Sequence, residues 1–93
     1  MNTSQKLRTN IIKCLSDRGL SQIQLAVATQ LHESVISRIL AGKREINVYH
    51  LDKITHALQL DFLALLYYPE KVYIAHASNE KITITLTPNS TLL

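Results

Sequence analysis

The chain has 93 residues, of which 46% are hydrophobic and 18% charged, with two glycines, two prolines and one cysteine. This length fits one globular domain that gains stability from partner contacts, and the composition excludes a flexible, disordered polymer. The net charge of +3 is unevenly divided: residues 1–47 contain seven Lys or Arg against three Asp or Glu, and residues 48–93 contain three against four. A positive N-terminal half favours a polyphosphate partner.

The sequence also bears on the cellular compartment. No apolar run reaches the roughly 20 residues that a membrane-spanning helix needs, and the N-terminal sequence MNTSQKLRTN lacks the apolar core of a signal peptide. One cysteine cannot form an internal disulfide, which agrees with a reducing environment. We therefore expect a cytoplasmic protein with no membrane partner.

Apolar residues at helical spacing predict three helices in the first 42 residues. The first ends at Gly19, a residue typical of helix C-caps. The second begins at Ser21, which can form a capping box with Gln24, and ends near Thr29. The third is stopped by Gly42. The predicted inward residues are Leu7, Ile11, Cys14 and Leu15 in the first helix, Leu25, Ala26 and Thr29 in the second, and Ile36, Ile39 and Leu40 in the third.

Two further helices are expected before the chain changes character. Asn47 is a good N-cap for a fourth helix, and Asp61 is one for a short, apolar fifth helix that ends before Pro69. The predicted apolar stripe of the fourth helix consists of Val48, Leu51, Ile54, Thr55 and Leu58.

After Pro69 the pattern has a period of two residues, which predicts strands over residues 72–77 and 82–87 with a turn at Ser78 and Asn79. A lone hairpin is marginally stable in water, so its aliphatic face must pack on the bundle or on a second subunit. We predict that residues 70–93 form a tail separate from the domain of residues 1–69. The expected dimerisation residues on its aliphatic face are Val72, Ile74, Ile82, Ile84 and Leu86.

The segment from Leu20 to Asn47 contains an ordered motif: Gln22 at the start of the second helix, Leu25 and Ala26 inside it, Leu31 after the turn, Ile36 and Ile39 inside the third helix, then Gly42 and Lys43. This motif resembles the helix-turn-helix of the phage Cro and repressor family, also called the Xre family. The resemblance implies a mainly α fold, in which a five-helix lambda-repressor-like bundle is followed by the C-terminal β-hairpin. It also implies a homodimer that binds a near-palindromic double-stranded DNA operator and regulates transcription, often as a repressor of its own promoter.

In such a fold the third helix enters the major groove with its N-terminus first. Arg38 can donate two hydrogen bonds to guanine, and Ser34 and Ser37 can contact a base or a phosphate. Glu33 can accept from cytosine or orient Arg38. The resemblance assigns phosphate contacts to residues that flank this helix. The full set of predicted DNA-binding residues is Gln22, His32, Glu33, Ser34, Ser37, Arg38, Lys43, Arg44 and Asn47.

Two residues depart from the family pattern. Gln30 stands where the family usually has a glycine in a left-handed conformation, which should cost a residue with a side chain on the order of 1 kcal/mol. His32 replaces the commoner Ser or Thr cap of the third helix. The turn and the start of the third helix are therefore where this chain departs from the family pattern.

Functions other than transcriptional regulation are also compatible with this sequence. An antitoxin that binds both operator DNA and a toxin protein would share this fold, and a protein-interaction adaptor would use the helices without binding DNA. The sequence shows no phosphate-cradling loop and no nucleophile beside a base, so we expect no enzyme and no cofactor. Cys14 is expected in the core, and the aromatic cluster of Tyr67, Tyr68 and Tyr73 at an interface. No metal site is expected, because metal-ligand spacing is absent from His32, His50, His56 and His76.

Overall fold

The computed structural model describes residues 2–76 and 82–87, with side chains described for residues 2–70. Among these residues no helix is long and apolar enough to cross a membrane. The described elements, in chain order, are α1 (Thr3–Arg18), α2 (Gln22–Thr29), α3 (Glu33–Leu40), α4 (Val48–Leu58), α5 (Phe62–Leu66), β1 (Lys71–His76) and β2 (Ile82–Thr87).

Polar side chains begin α2, α4 and α5 as the sequence predicts. The predicted capping box of α2 is confirmed, since Ser21 Oγ accepts from the Gln24 N–H at 3.1 Å and Gln24 Oε1 accepts from the Ser21 N–H at 2.8 Å. The N-caps Asn47 and Asp61 are confirmed too, each accepting from a backbone N–H three residues later. These bonds satisfy donors that have no partner inside a helix, which explains where the elements start.

The ends of the first two helices adopt the left-handed backbone expected of helix C-caps. Gly19 ends α1 with φ 66°, and Gln30 ends α2 with φ 59°. The Leu31 N–H then donates to the Ala26 carbonyl at 3.2 Å, the bond that closes a Schellman turn. The left-handed conformation predicted for Gln30 is confirmed, although a side chain disfavours it.

We therefore expect Gln30→Gly to raise the free energy of unfolding, by about 0.5–1 kcal/mol after the added chain entropy of glycine is subtracted from the relieved strain. Urea unfolding monitored by circular dichroism measures this difference. The matched control is Ala28→Gly, an exposed helical position in the same helix, where glycine should cost about 1 kcal/mol. A loss of stability in Gln30→Gly would contradict the prediction.

The described core consists of apolar side chains from all five helices. Every inward residue predicted for the first three helices is buried, including Cys14, which has no exposed surface. Burial raises the pKa of the Cys14 thiol and so keeps it protonated. The buried set is Leu7, Ile11, Cys14, Leu15, Leu25, Ala26, Ile36, Ile39, Leu40, Ile54, Leu58 and Leu65, together with the polar residues Asn10, Thr29 and His50.

One predicted core position in α4 is wrong. Val48 is 83% exposed, whereas His50 takes a place in the buried face beside Ile54 and Leu58. The physical reason is helical geometry: His50, Ile54 and Leu58 are four residues apart, whereas Val48 is rotated about 120° around the axis from Ile54. Hydrophobicity alone placed Val48 on the wrong face.

Polar contacts join α1 to the end of α5. Asn10 Nδ2 donates to the carbonyls of Leu65 and Leu66, at 3.0 and 2.9 Å. Tyr68 Oη donates to Asp17 Oδ2 at 2.6 Å, and this hydrogen bond raises the pKa of Tyr68 to about 12. The Lys6 ammonium lies 4.6 Å from the centre of the Tyr67 ring. Tyr67 and Tyr68 thus contact α1 of their own chain, and the Tyr73 side chain lies outside the described residues.

The predicted fold class needs a correction at its C-terminal end. From residue 2 to residue 70, where side chains are described, the chain is helical and contains no strand. Beyond it only two antiparallel backbone segments, β1 and β2, are described, pairing Lys71 with Thr87 and His76 with Ile82 at their ends. The side chains of both segments lie outside the described residues. Over the residues with described side chains the structure therefore supports a five-helix bundle, and the C-terminal β-hairpin that was expected is not seen there.

The reason lies in what an alternating pattern specifies. It determines which side chains share a face of a strand, but it does not determine what that face packs against, and two strands alone are marginally stable. The expected turn at Ser78 and Asn79 lies outside the described residues. So do the side chains of the expected dimerisation residues Val72, Ile74, Ile82, Ile84 and Leu86.

Candidate nucleic-acid interface

Helices α2 and α3 form a helix-turn-helix whose inner side is closely packed. Ala26 of α2 is only 6% exposed, and Ile36 and Ile39 of α3 have no exposed surface. The small Ala26 side chain lets the two helices approach, and the two isoleucines fill the space beneath α3. Burial of this face determines which side chains of α3 point outward.

The outward face of α3 is polar. Glu33 and Ser37 are one turn apart, as are Ser34 and Arg38, so the four share one side of the helix. Glu33, Ser37 and Arg38 are exposed, and Ser34 is half-buried. Val35 is also half-buried, at the margin between the two faces. The structure thus brings the four predicted base-contacting residues together on one accessible surface.

His32 is the N-cap of α3. Its Nδ1 accepts from the Ser34 backbone N–H at 3.1 Å and lies 2.9 Å from Ser34 Oγ. An imidazole nitrogen that accepts this bond must lack a proton, so the cap requires the neutral form of the ring with its proton on Nε2. The exposed His32 ring therefore has a structural role as the cap of α3. Its Nε2 donor takes no part in that cap.

The predicted phosphate-contacting residues lie at the two ends of the helix-turn-helix. Gln22 is exposed in the first turn of α2, and Lys43 and Arg44 are exposed in the segment after α3. Asn47 Oδ1 accepts from the His50 N–H at 2.7 Å as the cap of α4, and its Nδ2 donors take no part in that cap. These side chains extend the polar surface beyond α3.

Arg8 was not predicted as part of this surface. Its guanidinium lies against Gly42, where a Cβ atom would be 3.4 Å from Arg8 Nε. The two residues are 34 positions apart, and no local spacing signal in the sequence indicates such a contact. Only the packing of α1 on α3 brings them together.

His50 was another unexpected neighbour of this surface. It is 5% exposed, and its Nδ1 has no hydrogen-bond partner among the described residues. Burial, followed by the positive charge of Arg44, lowers the pKa of His50. Both effects favour the neutral imidazole, so the folded state resists protonation at this position.

We expect this histidine to make stability pH-dependent. Its folded pKa lies below the unfolded value of about 6.5, so its contribution is complete above that pH and is lost as pH falls toward the folded pKa. The measurement is the free energy of unfolding between pH 8 and pH 5 for the wild type and His50→Gln. The wild type should lose more stability on acidification than the variant, which lacks this buried imidazole. Parallel curves would contradict the prediction.

Among the residues with described side chains, no three His, Cys, Asp or Glu are grouped as the ligands of a metal ion would be. The accessible groups of α3 and its flanks are hydrogen-bond donors, acceptors and cations, which is the chemistry that base edges and phosphates require.

Comparison with known proteins agrees with this geometry. A family model described as helix-turn-helix matches residues 12–65, from within α1 into α5. No curated protein and no solved structure matches the chain. The matched range covers more than half of the sequence and includes α2, α3 and α4 in full.

Proposed function

Because the chain belongs to the helix-turn-helix family of Xre- and Cro-like DNA-binding regulatory domains, we propose that it represses transcription by binding operator DNA as a homodimer. One observation supports this most directly. The polar face of α3 presents Arg38 to solvent, while Ile36 and Ile39 behind it are fully buried. A rigid helix with an exposed arginine fits the major groove, which is about 12 Å wide.

Each residue on this face has a proposed role. Arg38 donates two hydrogen bonds to O6 and N7 of a guanine. Ser37 contacts a base or a phosphate, and Ser34 does so once its hydroxyl turns from the His32 cap. Glu33 orients Arg38 or accepts from cytosine N4, since a carboxylate is repelled by phosphate. Sequence preference therefore depends mainly on Arg38.

Affinity comes from the flanking groups. Gln22, Lys43, Arg44 and the Nδ2 group of Asn47 donate to phosphate oxygens on both sides of the groove, and His32 Nε2 adds a donor at the start of α3. These contacts position α3 without reading sequence, and they make binding depend on salt.

The proposed dimer follows from the geometry of DNA. Two copies of α3 related by a two-fold axis can enter successive major grooves about 34 Å apart, and the operator is then a near-palindrome. Occupying such a site blocks polymerase, which is the proposed mechanism of repression. We also propose the cytoplasm as the location of the protein, because its proposed ligand is DNA.

The test is selection of bound sequences from a random DNA library at two salt concentrations, with the wild type, Arg38→Ala and the control Lys13→Ala. Lys13 is exposed on α1. We expect the wild type and the control to select the same near-palindrome. Arg38→Ala should lose preference at one symmetric base pair, by about 1–3 kcal/mol per half-site.

Other outcomes would contradict the proposal in different ways. An unchanged motif in Arg38→Ala would show that this arginine does not read a base. Specific binding only in the presence of a second, co-purified chain would favour the antitoxin alternative. Salt-independent association, or no DNA binding at all, would favour an adaptor without a nucleic-acid ligand.

A further inference from the structure

A cation from outside the helix-turn-helix lies directly beside the end of α3. The Arg8 side chain, from the second turn of α1, meets Gly42 two residues after α3 ends. We infer that Arg8 binds a DNA phosphate together with Lys43 and Arg44, so that α1 adds a backbone contact to those of the helix-turn-helix. This inference rests on the proposed function.

The position of Arg8 is set by the core. Leu7 precedes it and Ile11 follows one turn later, and both are buried in the packing of α1 against the bundle. Three atoms of the guanidinium, Nε, Cζ and Nη2, lie 3.4–3.6 Å from the Cβ position of Gly42. Gly42 has φ 77°, so the turn also needs glycine for its backbone conformation. The turn therefore offers a flat surface against which the half-buried guanidinium rests.

The Arg8 guanidinium has no counterion among the residues with described side chains. Over residues 2–70, no carboxylate forms an ion pair with Arg8, and no acceptor forms a hydrogen bond with its guanidinium. The next two residues after Gly42 are Lys43 and Arg44, both exposed. The turn after α3 thus has the Arg8 guanidinium against Gly42 and two exposed cationic residues directly after it in the chain.

Phosphate fits this arrangement better than a base. The guanidinium is permanently charged and presents paired N–H donors that match two phosphate oxygens. Arg8 lies on α1, outside the helix proposed to enter the groove, so its donors suit a backbone contact and not the reading of base edges. A contact there should strengthen binding to all sequences and leave sequence preference unchanged.

The experiment measures binding of the selected operator by fluorescence anisotropy between 50 and 200 mM salt, for the wild type, Arg8→Gln and Arg8→Lys. Lys13→Gln, on the exposed face of the same helix, is the matched control. Arg8→Gln should reduce the slope of log affinity against log salt by about 0.9 per bound protomer, and the control should not. The ratio of the wild-type affinity to the Arg8→Gln affinity should then fall by about 3.5-fold per protomer between 50 and 200 mM salt. Arg8→Lys should keep the wild-type slope, because the charge is retained.

Thermal unfolding of each variant tests whether Arg8 acts on stability alone, as a cation at the negative end of the α3 dipole. A lower melting temperature for Arg8→Gln with an unchanged salt slope would overturn the inference, and so would a changed base preference. Arg38→Ala is measured in parallel: if it relaxes specificity while Arg8→Gln binds like the control, only the inference about Arg8 fails. If the wild type itself binds no operator, the proposed function fails.

Discussion

Replacing Ile36 by alanine is expected to lower the free energy of unfolding by about 3–4 kcal/mol. The Ile36 side chain has no exposed surface and packs beneath α3, so its loss removes buried area and leaves a cavity that α2 and α3 cannot fully close. A domain of this size is stable by roughly 5–14 kcal/mol, so one such change removes a large fraction of the total. DNA binding should weaken steeply with it, because the outward face of α3 depends on this packing.

Two neighbouring substitutions provide the controls for Ile36→Ala. Ile36→Val keeps most of the volume and should cost about 0.5–1.5 kcal/mol. Ser37→Ala changes the next, exposed residue and should alter stability by less than about 0.5 kcal/mol while removing a proposed DNA contact. Urea unfolding measures all three variants. A loss below about 1 kcal/mol in Ile36→Ala would contradict the close packing beneath α3.

Replacing Asn10 by leucine should cost about 2–3 kcal/mol, although leucine is more hydrophobic and similar in size. Asn10 is 8% exposed, and its Nδ2 is the donor to both the Leu65 and Leu66 carbonyls. Leucine would leave these acceptors at the end of α5 without that donor, and a buried unsatisfied acceptor keeps the full cost of its desolvation. The expected result is a looser attachment of α5, visible as faster amide hydrogen exchange in Leu65 and Leu66.

Tyr68→Phe is the matched control for Asn10→Leu, since it also removes a hydrogen bond between α1 and the chain after α5. Its acceptor, Asp17, is exposed and can bind water instead, so the loss should stay near 1 kcal/mol or below. If Asn10→Leu proved as stable as the wild type, water would be satisfying the two carbonyls, and the contact would not hold α5.

The site and the fold differ in how much of each could be predicted. Ser21, Asn47 and Asp61 begin helices because their side chains bind backbone N–H groups only three residues away, so a short window of sequence contains the whole interaction. The same holds for the outward face of α3, since Ser34 and Arg38 share a side by helical periodicity alone. The family match over residues 12–65 confirms the family that the motif indicates.

Contacts between distant segments could not be predicted in this way. Val48 was predicted in the apolar stripe of α4 but is exposed, whereas the packing of α4 buries His50, which was not predicted in the core. Arg8 reaches Gly42, and Asn10 reaches the end of α5, across 34 and 55 residues of sequence. No spacing rule covers such pairs.

By itself, then, the sequence determined where α2, α4 and α5 begin, where α1 and α2 end, which residues of α2 and α3 face inward, and the helix-turn-helix family. These properties depend on interactions within a few residues. Only the tertiary structure decided that Arg8 of α1 lies against the turn after α3 and that His50 is buried near Arg44. The reason is that burial and charge proximity depend on how whole helices pack, and packing energies are summed over residues far apart in the chain.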